Sequence, residues 1–164
     1  MDEEKRKRYE ELKEKNKYKH KNLRYQTNPR FMDCIETLGE VRIYSYEFTE
    51  KIMHVVSDRF PLSYSNSILD KMSNTQSLCD IEVMREILDR EFPEKEVYIF
   101  FTDYDIPLVS CRKEKVIRYY DEIMEVSLDN IYIISFDLCH IIESRLPDIR
   151  TYGKSTEKEI FLKD

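Results

Sequence analysis

Residues 97–111 read VYIFFTDYDIPLVSC. An apolar run from Val97 to Phe101 meets the triplet Asp103-Tyr104-Asp105, and a second short apolar stretch follows. Along the run, the alternating sets Val97/Ile99/Phe101 and Tyr98/Phe100/Thr102 are both largely apolar. A strand that is apolar on both sides has both faces covered, so this segment is expected at the centre of a sheet. The Asp-Tyr-Asp triplet then carries the question of function. Asp tolerates turn conformations and bonds nearby backbone N–H groups. On that reading Thr102–Asp105 joins strand 97–102 to strand 106–110 as a tight hairpin, and Ser110 caps the helix that follows.

The competing reading is chemical. Asp-x-Asp after an apolar strand resembles the motif of haloacid dehalogenase-like phosphatases, with Asp103 as nucleophile and Asp105 as acid/base. That chemistry needs the loop backbone to approach a phosphate closely, which takes glycine after the second carboxylate. Here Ile106-Pro107 stands in that place, and the chain has two glycines in all, Gly39 and Gly153. The turn is the better reading.

Working outward, NPRFMDCIETLGEV is a complete short helix: Asn28 as N-cap, Pro29 as first residue, Phe31, Ile35 and Leu38 inward, Gly39 at the end. VRIYSY (41–46) alternates like a strand. Phe48, Ile52, Val55, Val56 and Phe60 recur at helical spacing. Residues 61–74, rich in Ser and Asn, read as a loop with a helical turn near 68–72. A helix over about 79–92 buries Ile81, Met84, Ile87, Leu88 and Phe92 before Pro93. The clearest amphipathic stripe is 112–126, with Val116, Ile117, Tyr120, Ile123 and Met124 opposite Lys113, Arg118, Asp121 and Glu125. A strand at 131–136 follows, then Asp137 as N-cap of a short helix burying Leu138, Ile141 and Ile142 and stopping at Pro147. Ile160-Phe161-Leu162 suggests an edge strand. The order predicts an α+β sandwich: a mainly antiparallel central sheet flanked by helices over residues 26–164. Residues 1–25 precede it as a charged helix or flexible lead-in, with Tyr9 and Leu12 as its only stripe.

Charge is unevenly distributed. Residues 1–24 hold ten of the 27 Lys/Arg and six of the 33 Asp/Glu, a balance of +4; the rest holds 17 and 27, a balance of −10. An acidic body repels nucleic acid and anionic membranes and attracts basic partners. No segment has the length of a membrane span or the pattern of a signal peptide, which predicts a cytoplasmic protein. Cys34, Cys79, Cys111 and Cys139 form no C-x-x-C pair, and Cys111 and Cys139 sit among apolar residues, so reduced thiols are expected.

No constellation for catalysis emerges. His20, His54 and His140 stand in unrelated settings, and His140 beside Cys139 on a helix would point about 100° away from it. No ligand spacing for a metal, no phosphate loop and no nucleophile elbow is present. No catalytic residue, cofactor or metal is therefore assigned. What remains are tyrosines expected at the surface (Tyr44, Tyr46, Tyr64, Tyr104, Tyr119, Tyr152) and carboxylates at turns and on helix faces, groups suited to protein recognition.

EVYIFFTDYDIPLVSC, the charged amphipathic helix after it, and NIYIISFDLCHIIESRLPDIRTYG together resemble the small immunity proteins of bacterial toxin systems, including contact-dependent growth inhibition. The resemblance covers about residues 40–153. It implies a non-catalytic inhibitor whose partner is the C-terminal domain of its cognate toxin, often a nuclease, with no direct nucleic-acid or membrane contact. The acidic body suits a basic nuclease groove. Partner-binding residues are expected at Asp103, Tyr104 and Asp105, on the outer helix face at Asp121, Glu122 and Glu125, and at Asp129. Two alternatives stand beside it: a small enzyme or ligand-binding domain with a carboxylate-lined site, and a regulatory domain whose basic N-terminal segment contacts nucleic acid.

Overall fold

The computed structural model describes residues 3–60, 75–78, 81–103, 105–127, 130–145 and 158–162, with Arg145 and segments 75–78 and 158–162 described by their backbone alone. Its helices are α1 (Glu3–Arg24), α2 (Pro29–Leu38), α3 (Tyr46–Arg59), α4 (Ile81–Glu91), α5 (Lys113–Arg118) and α6 (Tyr120–Val126). Its strands are β1 (Arg42–Ile43), β2 (Thr75–Leu78), β3 (Glu96–Phe101), β4 (Val109–Arg112), β5 (Asn130–Ser135), β6 (His140–Arg145) and β7 (Lys158–Leu162). The strands form one sheet in the order β1-β4-β3-β5-β6-β7-β2. Every pairing in it is antiparallel. The expected α+β architecture is the observed one.

The sheet is covered on both sides, as the two apolar sets of β3 require. Val97, Ile99 and Phe101 join Ile131, Ile133 and Ile142 against α2, α4, α5 and α6 in one buried cluster. Tyr98 and Phe100 join Tyr132, Ile134 and Ile141 against α3 in the other. Ile141 and Ile142 thus point to opposite faces, which only a strand achieves. That corrects the expected helix after Asp137. Residues 136–139 are instead the turn between β5 and β6. Asp137 Oδ1 accepts from Cys139 N–H at 3.0 Å and from Ser135 Oγ at 2.5 Å, so it caps a turn and starts no helix.

Other boundaries shift for local reasons. The strand expected over 41–46 is only β1, because Ser45 Oγ accepts from Phe48 N–H at 3.2 Å and starts α3 there. α2 follows the sequence: Asn28 Oδ1 accepts from Phe31 N–H at 3.1 Å, and Gly39 ends the helix at φ 71°. The helix expected over 112–126 is two, broken at Tyr119 (φ −116°, ψ 33°), although its apolar stripe stays buried. No Gly or Pro marks that break. Ser110 is buried in β4 against the Tyr44 hydroxyl, and Arg112, without a side-chain bond, occupies the N-cap. The segment expected as an edge strand near 160 is β7, and it lies inside β2. The expected loop and turn over 61–74 fall outside the described residues.

The lysines of α5 hold neighbouring helix ends. Lys113 Nζ donates to the Leu88 and Phe92 carbonyls, each at 2.9 Å, and Lys115 Nζ donates to Leu38 O at 2.7 Å. These carbonyls lie at the C-termini of α4 and α2, where a cation meets the negative end of the helix dipole; Leu88 O also accepts from Phe92 N–H at 3.3 Å. Lys113, expected on the solvent face, is therefore mostly buried.

Candidate partner-binding surface

The Asp103–Asp105 segment is not a tight hairpin. β3 and β4 pair from Glu96↔Arg112 only as far as Ile99↔Val109. Beyond that point Phe100 and Phe101 pair with β5 alone. Pro107 has no N–H to donate, and Ile106, Pro107 and Leu108 are buried while they cross to β4. Asp103 and Asp105 therefore stand in the 102–108 connection at the end of interior strand β3, and not at a sheet edge. Ile106 N–H bonds Asp103 O at 3.2 Å, closing a turn. Thr102 N–H and Oγ1 both reach Asn130 O, at 3.3 and 2.9 Å.

That last contact fixes how the expected residues relate. Asn130 begins β5 just after the chain leaves α6, so the loop and the C-terminal end of α6 share one end of the sheet. Asp121, Glu122 and Glu125 are exposed on α6, a helix with no Lys or Arg among its seven residues. Glu122 lies on the side of α2, near enough to act on the Cys34 thiol. Tyr104 and Asp129 fall outside the described residues.

Asp105 already has a partner. The Arg24 guanidinium of α1 stands 3.2 Å from its carboxylate. The last two turns of α1 are in fact docked, whereas residues 3–17 are all exposed. Tyr18 OH donates to Glu50 of α3 at 2.5 Å, and Lys21 Nζ lies 3.8 Å from the same carboxylate. Asn22 Oδ1 accepts from Tyr46 N–H at 2.8 Å, satisfying an orphan donor at the start of α3. The lead-in is thus a 22-residue helix, with Tyr9 and Leu12 exposed instead of forming a stripe. Its docking has no apolar signal in the sequence; the polar side chains Tyr18, Lys21, Asn22 and Arg24 carry it.

Tyr46 sits beneath this seam. It is 4% exposed, Lys21 Nζ lies 5.7 Å over its ring, and its hydroxyl has no hydrogen-bond partner. Burial and the Asp105 carboxylate push that hydroxyl's pKa up, against the Arg24 charge. Burial is a second correction for the tyrosines: Tyr44 and Tyr119 are half-buried, and none of the described members of the expected set is exposed. Tyr44 instead stacks on Phe48, ring centroids 4.6 Å apart.

Among the described residues no group of three or more His, Cys, Asp or Glu side chains is placed to hold a metal. Cys34 and Cys111 are buried, and burial pushes each thiol to about 12. Cys139 is half-buried in the β5–β6 turn. No helix among the described residues is long and apolar enough to cross a membrane.

A family model described as CdiI immunity protein EcoliA0-like matches residues 29–151. The chain belongs to that family. No curated protein matches it. As a CdiI immunity protein it is a toxin-neutralising protein, and the match spans the helices and strands from α2 through β6 while leaving α1 outside.

Proposed function

We propose that this CdiI immunity protein acts in the cytoplasm, without catalysis, by covering the basic substrate groove of its cognate toxin's C-terminal domain. A nuclease is the toxin class that fits, since a groove that takes nucleic acid must be basic and the body of this chain carries −10. The observation that carries the reading is the acidic end of the sheet. Asp103 and Asp105 stand at the end of β3 that Thr102 ties to Asn130, the start of β5, and α6, which precedes β5 in the chain, exposes Asp121, Glu122 and Glu125. Tyr104 and Asp129 belong to the same chain segments and extend the proposed surface. Family membership supports the inhibitor role, and charge complementarity supports a basic target.

The test is growth. The toxin domain encoded beside this chain is expressed in cells with or without it, and the toxin's action on cellular DNA and RNA is followed. Protection from growth arrest, with intact nucleic acid, is expected. Arrest despite an abundant folded protein rejects the function, and arrest by the toxin alone without nucleic-acid cleavage rejects the nuclease.

A further inference from the structure

We infer that the acidic seam beneath the docked end of α1 is the surface that takes the toxin's basic residues, and that Lys21 and Arg24 hold its place in the free protein. The inference rests on the immunity reading above and names the part of the surface that binds. Two cations of one helix meet two carboxylates on different elements: Lys21 meets Glu50 of α3, and Arg24 meets Asp105 of the 102–108 loop. This is the arrangement a basic segment of another protein would make on the same floor. The seam also contains an unmet demand. The Tyr46 hydroxyl, nine-tenths buried and more, lies within electrostatic reach of Asp105 and Arg24 and has no partner. A buried orphan hydroxyl is costly, and native structures rarely keep one without a role for it.

The occupant is displaceable by its chemistry. Both ion pairs are substantially exposed, with Arg24 at 65% and Asp105 at 46%, and pairs of that exposure contribute little to stability. α1 brings no buried residue to the contact. A toxin lysine or arginine that enters the seam therefore exchanges one cation for another and strands no charge. The unpartnered Tyr46 hydroxyl then gains a partner. The net +4 of residues 1–24 against −10 for the rest is the same complementarity on the scale of the chain.

Two full-length double variants test this against the purified cognate toxin domain by titration calorimetry and association kinetics. K21A/R24A removes the placeholder and is expected to bind about threefold or more tighter, because the competent surface is no longer partly occupied. E50Q/D105N removes the floor and is expected to bind about tenfold or more weaker, with a shallower salt dependence. E50Q/D105N binding like the wild type, or K21A/R24A binding more weakly than it, overturns the inference while the immunity reading stands. A wild-type chain that does not bind the toxin overturns both. Circular dichroism confirms that each variant folds, as expected for four side chains each at least a third exposed.

Discussion

The Arg59 guanidinium of α3 donates to the Leu138 carbonyl at 2.8 Å, across 79 residues of chain. The same nitrogen reaches Asp137 O at 3.0 Å. Leu138 has φ 57°, the left-handed region that L side chains avoid at a cost of about 1–2 kcal/mol. Arg59 thus pins a strained turn between β5 and β6 to the helix covering that face. Arg59→Ala should lower stability by about 1 kcal/mol, the usual net worth of such bonds. Urea unfolding measures the loss, and faster amide exchange at Leu138 and Cys139 would place it in the turn.

Asp137 makes this turn sensitive to acid. Burial raises its pKa, but the bonds from Ser135 Oγ and Cys139 N–H, with His140 and Arg59 nearby, outweigh this and hold the carboxyl below the usual range. A depressed pKa means that the folded state favours the ionised form. Its stabilisation is fully present above the unfolded value of about 3.9 and drains as pH falls through the folded value. Asp137→Asn should therefore be less stable than the wild type at neutral pH, and the two should converge as pH falls below about 4. Unfolding midpoints across pH 2–7 read this out; a constant gap rejects it.

Lys113 ties α5 to α4 through two carbonyls from a side chain only 12% exposed. Lys113→Met keeps the aliphatic stem and loses both charge-assisted bonds, which predicts a loss of about 1.5–3 kcal/mol in chemical denaturation. Lys113→Arg keeps the charge on a planar, bulkier head and should restore only part of it.

Thiol reactivity separates the described cysteines. Cys34 and Cys111, with pKa pushed to about 12 by burial, should resist alkylation at pH 8 until denaturant is added. Cys139, half-buried beside Arg59, should label in the folded state. Peptide mapping after brief alkylation distinguishes the three.

The parts of the fold legible in the sequence are those set by one local signal. Asn28-Pro29 with Gly39 bounded α2, and the doubly apolar 97–101 run marked an interior strand. Where two local signals competed, the outcome was decided by bonds and packing that neither signal carries. Ser45 ended the alternation of 41–46 because an N-cap bond begins a helix of fourteen residues. Asp137 capped a turn because Ile141 and Ile142 had opposite faces to fill, a demand set by α3 and α5/α6 and absent from the local sequence. The docking of α1 was illegible for another reason: it depends on Tyr18, Lys21, Asn22 and Arg24, and single polar contacts at long range leave no periodicity. It bears directly on the surface, since one of the expected contact residues, Asp105, is already paired.

Neutralisation through an acidic surface, as proposed above, requires that the toxin bind this chain in a salt-dependent way. Calorimetric titration of the purified toxin domain into the full-length protein, at about 50 and 500 mM salt, tests it most directly. A one-to-one complex whose affinity falls steeply as salt rises is the predicted result. No heat of binding at either salt, or an affinity indifferent to salt, would rule out neutralisation through an acidic surface.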